Sequence, residues 1–208
     1  MESLYNAFAG VIPGVPGWLL FWLVAVLAIA LIVFSFKMTT HNTDPSTRGV
    51  SKAIKKLGTE TVSDVVFADE IEGPIHIEHL CLTPTGIAVV DIKDYRGYLF
   101  GGANTDQWTQ VIDNRSYRFE NPLYHNKDRV RAIEALVDDE VPIFGCVVFT
   151  NAGSFPKDKP EGVVMQDNLQ EGLGLTKAAD IPSRYHSEWE NLLQRLQSNG
   201  GEFVSSKA

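Results

Sequence analysis

An acid and a base stand two residues apart in the stretch GIAVVDIKDYRGYLFGG, residues 86–102: Asp91 and Lys93, with Asp94 beside them. The run just before them, Ile87 to Val90, has no polar side-chain atom, which is the pattern of a buried β-strand. Side chains alternate along a strand, so Asp91 and Lys93 share a face. Upstream, IHIEHLCL at 75–82 is a second strand-like run, separated from Ile87 by the turn residues Thr83, Pro84, Thr85 and Gly86. A hairpin that sets Leu82 opposite Ile87 also sets Glu78 opposite Asp91. Opposed carboxylates repel, by about 4 kcal/mol for unit charges at roughly 4 Å and an effective dielectric of 20. Lys93 compensates one of the two charges. The other calls for a cation, a raised carboxyl pKa or exposure to water. A divalent ion with oxygen ligands meets that requirement, and Mg²⁺ characteristically takes one or two carboxylates together with waters and substrate phosphate. Such a site orients a water nucleophile and stabilises charge on phosphate, with the lysine activating water or neutralising the transition state. The spacing also leaves open an exposed Asp–Lys pair at a strand end with no ion.

The elements that must position these groups follow from periodicity. Asp44 and Pro45 start a helix in which Val50, Ala53, Ile54 and Leu57 recur at i, i+3, i+4 and i+7, with Gly58 as the stop. Strands are expected at 61–67, 75–82, 87–93, 98–100, 108–112 and 117–119. Asn121 and Pro122 open a helix running to about residue 137. The short, continuous, β-branched run VPIFGCVVFT at 141–150 reads as a central strand, with another strand at 163–165. A closing helix at 181–197 turns Trp189, Leu192, Leu193 and Leu196 inward. This order predicts an α/β fold, a mixed β-sheet flanked by helices.

Composition bounds the rest. The 208 residues carry 18 Lys plus Arg against 26 Asp plus Glu, a formal net charge of −8, which suits one modest domain and a further segment. That segment is WLLFWLVAVLAIALIVFSF, residues 18–36, preceded by Glu2 as its sole charge. Thirteen of its residues are Leu, Ile, Val or Phe, and they favour bilayer insertion by on the order of 4 to 8 kcal/mol. A buried core helix would show a polar stripe, and a cleaved signal peptide would show positive charge before the run and small residues after it. The expected layout is a tail at 1–16, a transmembrane helix at 17–37, a linker at 38–44, a domain at 45–200 and a C-terminal tail at 201–208. Lys37, Arg48, Lys52, Lys55 and Lys56 all follow the span, so the positive-inside rule predicts a single-pass protein of a bacterial-type inner (plasma) membrane with its C-terminal domain cytoplasmic. The lipid bilayer is then a partner through 17–37. Arg48, Lys52, Lys55 and Lys56 form either an anionic-lipid contact, at about 1 kcal/mol per charge, or an ordinary solvated face. Cys81 and Cys146 lie in apolar runs, lack metal-ligand spacing, and would stay thiols in a reducing cytosol.

The segments IHIEHLCLTPTGIAVVDIKDYRG, then Gly101, Gly102 and Trp108, then FENPLYHN, then PIFGCVVFTNAG resemble, in order and spacing, the nuclease-related domain known as NERD. That family is a branch of the PD-(D/E)XK nuclease-like superfamily, and the likeness covers about half the chain, residues 49–150. It implies a restriction-endonuclease-like sheet and divalent-metal-dependent hydrolysis of phosphodiester bonds in nucleic acid. Carried across, Glu78 and Asp91 are the metal ligands, for Mg²⁺ or Mn²⁺, and Lys93 completes the catalytic set. His125 and Asn121 are accessory candidates. The family usually has Asp then Glu, where this chain has Glu then Asp. An acid often found in the first helix falls near Val50, and a glutamine common after the Asn–Pro pair is His125. These departures keep open a second function: a catalytically degenerate nuclease-fold module that binds nucleic acid or a protein partner at the membrane.

Other groups read less specifically. His76 and His79 point to opposite faces of one strand and cannot bind one ion together there. Asp69, Glu70 and Glu72 suit a solvated loop. Trp108, Tyr117 and Phe119 are of a type that stacks on bases, although packing of the sheet explains them as well. Lys127, Arg129 and Arg131 could meet phosphate, while the acidic balance of the domain argues against a broad electrostatic footprint.

Overall fold

Residue 22 and residues 45–56, 60–69, 73–138, 140–175 and 180–206 are described by the structure, a computed structural model. The chain divides into two compact units, Met1–Asp44 and Pro45–Ala208. Apart from Trp22, which is helical, the expected span 17–37 lies outside the described residues, as do the tail 1–16 and the linker 38–44. No described helix is long and apolar enough to cross a membrane.

The second unit is a mixed α/β fold with two mixed sheets and flanking helices. In order it comprises α1 (Pro45–Lys56), β1 (Thr61–Asp69), β2 (Gly73–Thr83), β3 (Gly86–Lys93), β4 (Gly97–Phe100), β5 (Gln107–Ile112), β6 (Arg115–Glu120), α2 (Pro122–Glu134), β7 (Ile143–Phe149), β8 (Gly153–Ser154), β9 (Val163–Met165), α3 (Leu169–Gly172), α4 (Ser183–Ser198) and β10 (Glu202–Ser206). The larger sheet has the order β10-β1-β2-β3-β7-β9 and the smaller β6-β5-β4-β8. Strand β3 is central. It pairs antiparallel with β2 and parallel with β7, and from Gly86 to Ile92 it is buried on both faces, as its apolar run predicts.

Alternate residues of β3 serve two cores. Ile87 and Val89 join Leu80, Leu82, Ala132, Ile133, Trp189, Leu192 and Leu196 on the side of α2 and α4. Ala88, Val90 and Ile92 join Val50, Ile54, Cys81, Cys146, Leu169 and Leu173 on the side of α1 and α3. Cys81 and Cys146 are buried free thiols in that second core. A third cluster, Leu99, Trp108, Val147, Phe149 and Val163, ties the smaller sheet to the larger. Trp108 stacks on Phe149 at 6.0 Å between ring centroids. A Cβ at Gly101 would lie 2.3 Å from the Trp108 ring, so the pairing of that glycine with that tryptophan is steric.

Two expectations change here. The strands form two sheets rather than one, because β4 to β6 are held by the aromatic cluster instead of continuing the β3 ladder. Residues placed in a C-terminal tail instead include β10, which pairs antiparallel with β1 (Thr61↔Ser206, Val62↔Ser205, Ser63↔Val204). Without it the outer edge of β1 would leave its backbone groups unpaired.

Candidate functional site

Strands β2 and β3 part company where the chemistry was expected. Their ladder runs from Thr83↔Gly86 through Leu82↔Ile87 to His79↔Val90 and stops, although β2 continues back to Gly73 and β3 forward to Lys93. The expected register is present, and it ends one pair short of Glu78 and Asp91. Over Asp91, Ile92 and Lys93, strand β3 pairs with β7 alone, to Val147, Val148 and Phe149. The edge of β3 facing β2 is therefore open, and the Glu78 side chain closes it: the Ile92 amide donates to Glu78 Oε2 at 2.8 Å. Glu78 Oε1 lies 3.6 Å from Lys93 Nζ.

The fork has a backbone cause in β1. Asp64 adopts φ 55°, a left-handed conformation that Asp tolerates better than most residues. The β1–β2 pairing passes from Ser63↔His79 to Val65↔Ile77, and the β1–β10 register shifts between Ser63 and Val66. On one side of this irregularity Val62, Leu80 and Leu82 point into the core under α2 and α4; on the other side Val65, Phe67 and Ile77 point into the same core. Alternation thus slips by one across Asp64 and Glu78. Simple period-2 counting placed Glu78 on the face of Asp91; the slip turns it to the strand edge, from which its carboxylate reaches β3.

Asp91 is fully buried. Its Oδ2 accepts from Arg129 Nη1 at 2.7 Å and from Asn126 Nδ2 at 3.2 Å, and its Oδ1 has no hydrogen-bond partner among the described residues. Asn126 Nδ2 also donates to the Val89 carbonyl at 3.1 Å. Arg129 Nε donates to the His76 carbonyl at 2.7 Å, so one guanidinium bridges the two strands at their point of divergence. Both groups come from α2, whose inward stripe is Pro122, Asn126, Ala132 and Ile133. Opposite Asn126, strand β7 carries Gly145, where a Cβ would fall 2.0 Å from Asn126 Oδ1. The glycine in PIFGCVVF is the space that lets this amide reach Asp91.

The electrostatics differ from the sequence expectation for a definite reason. Glu78 and Asp91 face Lys93 and Arg129, two acids against two bases, so the excess negative charge is already cancelled by Arg129. Burial pushes the Glu78 carboxyl above its usual range; Lys93 and the Ile92 amide oppose this, and Asp91 adds to it. Among the described residues no group of three or more His, Cys, Asp or Glu is placed to hold a metal ion. The buried, unpartnered Asp91 Oδ1 is the kind of oxygen a hard cation takes, and Asp91 and Glu78 would be the carboxylates to hold one, with water or phosphate as its other ligands.

The remaining candidates fall elsewhere. Asn121 is buried and caps α2, its Oδ1 accepting from the Leu123 amide at 3.0 Å. Its Nδ2 donates to the carbonyls of Ala103 and Thr105, so it fixes the loop before β5 rather than facing the acids. His125 is exposed and lies 3.0 Å from Glu120. Val50 sits in the core on the far face, so an acid there would not reach Asp91. On that face too is His79, whose Nε2 is 2.9 Å from Ser51 Oγ. Asn126 and Arg129 had no assigned part in the acid site. Their signal was two polar residues at i and i+3 on the helical stripe that also holds Ala132 and Ile133.

The comparisons with known proteins converge on this region. The model of the nuclease-related domain matches residues 46–150, from α1 to the end of β7, and so takes in both arms of the fork and the helix that supplies Asn126 and Arg129. An uncharacterized protein of Bacillus anthracis is 28% identical over 103 residues, covering 48% of this chain and 49% of that protein. The chain thus spans about half the length of the curated relative it matches. No solved structure matches. Since the matched stretch is half of the chain and holds the acids, the lysine and the helix around which the fork is built, the chain belongs to the nuclease-related domain family.

Proposed function

We propose that the domain hydrolyses phosphodiester bonds in nucleic acid on a restriction-endonuclease-like scaffold, with Mg²⁺ or Mn²⁺ held by Glu78 and Asp91. The observation that carries this reading is the fork: a strand edge opened at Asp91 to Lys93, two carboxylates and an amine gathered there, and one carboxylate oxygen left without a partner. When bound, the ion supplies a water of lowered pKa and positive charge beside the phosphate. Asn126 holds the Asp91 carboxylate in orientation through Oδ2, while the buried Oδ1 takes no hydrogen bond from the described residues. Lys93 places its amine at the edge of the fork, where it can neutralise a phosphate oxygen. Glu78 carries a carboxyl whose pKa burial raises, so an ion held there would favour its ionised form.

The exact charge balance of Glu78 and Asp91 with Lys93 and Arg129 favours a second reading, the catalytically degenerate module that binds nucleic acid or protein. Cleavage separates the two. The full chain, purified in mild detergent, is incubated with DNA and RNA in Mg²⁺ or Mn²⁺ beside Asp91→Ala and Lys93→Ala. On the hydrolytic reading, cleavage falls by about a hundredfold or more in each variant. No cleavage by the unaltered chain, with any binding indifferent to both substitutions, assigns the module instead.

The proposal includes a location. Residues 17–37 anchor the protein in a bacterial-type inner membrane with the domain in the cytoplasm, and Arg48, Lys52, Lys55 and Lys56, all exposed on α1, meet anionic headgroups. A reporter fused after Ala208 tests this; an exported reporter would overturn it.

A further inference from the structure

Arg129 is the side chain that belongs both to the buried acid pair and to an open cavity. Its guanidinium contacts Asp91 Oδ2 and the His76 carbonyl, and the same side chain lines a cavity of about 230 Å³ with Pro74, Ile75, His76, His125 and Asp128. The other Asp91 partner, Asn126, does not line that cavity. Three of the six lining residues bear nitrogen donors. The one acid, Asp128, lies 3.5 Å from Arg131, and His125 lies 3.0 Å from Glu120, so the cavity wall is neither uniformly basic nor closed to an anion.

We infer that Arg129 is an exchangeable counter-ion, which holds Asp91 while no divalent ion is bound and turns into the cavity to bind substrate phosphate once an ion takes the carboxylate. This rests on the metal-dependent reading above. A doubly charged ion on Asp91 Oδ1 would sit within a few ångströms of a guanidinium held by Oδ2 of the same carboxylate, and the two cations repel strongly in a site screened from water. The Arg129 side chain is partly exposed and the residue lines the cavity, and its long stem lets the guanidinium move without disturbing α2. Guanidinium matches phosphate through paired donors, so a phosphate in the cavity offers it what Asp91 no longer does. Ion and nucleic acid then bind cooperatively, each favouring the arrangement that the other needs.

The test uses the full chain in detergent, with Mn²⁺ alone, with Ca²⁺ as a non-hydrolysing ion, and with a short single-stranded DNA as the phosphate probe. Titration of Mn²⁺ into Arg129→Gln is expected to show affinity about tenfold or more above the unaltered chain, because the competing cation is gone. Ca²⁺ is expected to tighten oligonucleotide binding by the unaltered chain about tenfold and by Arg129→Gln hardly at all. Unchanged or weaker Mn²⁺ binding by a folded Arg129→Gln overturns the exchange and leaves the residue a structural partner. Because that substitution strands a buried carboxylate, the unaltered chain supplies an independent readout. The ¹⁵N-labelled Nε–H resonance of Arg129, held by the His76 carbonyl, is expected to shift and lose exchange protection as Mg²⁺ is added. A resonance indifferent to saturating Mg²⁺ overturns the inference. If the unaltered chain cuts nucleic acid and Arg129 does not respond, this inference alone falls; if it binds no divalent ion at all, the metal-dependent reading falls with it.

Discussion

The two faces of the larger sheet treat buried titratable groups differently at adjacent positions of β3. On one face Asp91 is wholly inside and is met by a guanidinium at 2.7 Å and an amide at 3.2 Å. On the other, beside Val90, His79 is 5% exposed and meets the hydroxyl of Ser51. Burial, only partly opposed by the charges of Asp64 and Asp91, lowers the His79 pKa from 6.5 to about 4, so the ring is neutral at physiological pH. The first face keeps charge by importing its complement from α2; the second expels charge. A face of balanced charges can be rearranged by an ion or a phosphate, whereas a face built of neutral groups in an apolar core gives a ligand no purchase. This is why the acid site is assigned to the α2 side, even though α1 supplies the residue aligned with the acid often found in the first helix of the family.

The largest way to break that contrast is to put an acid where the family pattern has one. Val50→Glu would set a carboxylate among Ile54, Cys81, Ala88 and Val90, on the face away from Asp91. The expected cost is about 4 kcal/mol or more, a fall in Tm on the order of 10 °C, with no gain in Mn²⁺ affinity. Thermal unfolding and ion titration read both quantities. A stable variant that binds Mn²⁺ more tightly would place residue 50 at the acid site and erase the distinction between the faces.

Next in size is the acid sensitivity of the neutral face. The folded His79 pKa lies below the ordinary 6.5, so the unfolded chain takes up the proton first. Its contribution is fully present above pH 6.5 and is lost as pH falls toward about 4, to an extent of on the order of 3 kcal/mol. His79→Asn keeps a polar group against Ser51 and cannot titrate. Denaturant unfolding at stepped pH is expected to show a shallower loss for this variant between pH 6.5 and 4. Parallel curves would mean that another group governs acid unfolding.

Much of this arrangement could be read from the sequence because local rules governed it. Thr83 to Gly86 fixed the hairpin register, which then put Leu82 against Ile87 as expected. The helical repeat Val50, Ala53, Ile54 identified the buried side of α1. What escaped depended on distant parts of the chain. The slip at Asp64 alters where Glu78 points, and nothing in IHIEHLCL signals it, since the left-handed residue is in the neighbouring strand. Arg129 cancels the excess negative charge of the acid pair from a position 38 residues beyond Asp91. Gly145 carries no signal of its own within the apolar strand, and its meaning appears only when Asn126 is brought against it. Strand β10 is a short segment with a single alternation, and its partner lies at the opposite end of the domain.

The smallest effect sharpens the charged face itself. Burial outweighs the help that Glu78 receives from Lys93 and the Ile92 amide, so its folded pKa stands above the ordinary 4.5. With the folded pKa raised, the protonated carboxyl is the form the fold prefers. That preference stabilises fully below about 4.5 and is lost as pH rises through the folded pKa, leaving the charged form as a net cost at neutral pH. Glu78→Gln removes the cost while keeping an oxygen that can accept from Ile92. Its Tm is expected to exceed that of the unaltered chain by about 1–3 °C at pH 8, with the gap closing as pH falls to 4. A variant less stable at pH 8 would show that the contacts to Lys93 and Ile92 outweigh burial. The two acids would then be held by balanced pairing alike, and the fold would not prefer a protonated Glu78.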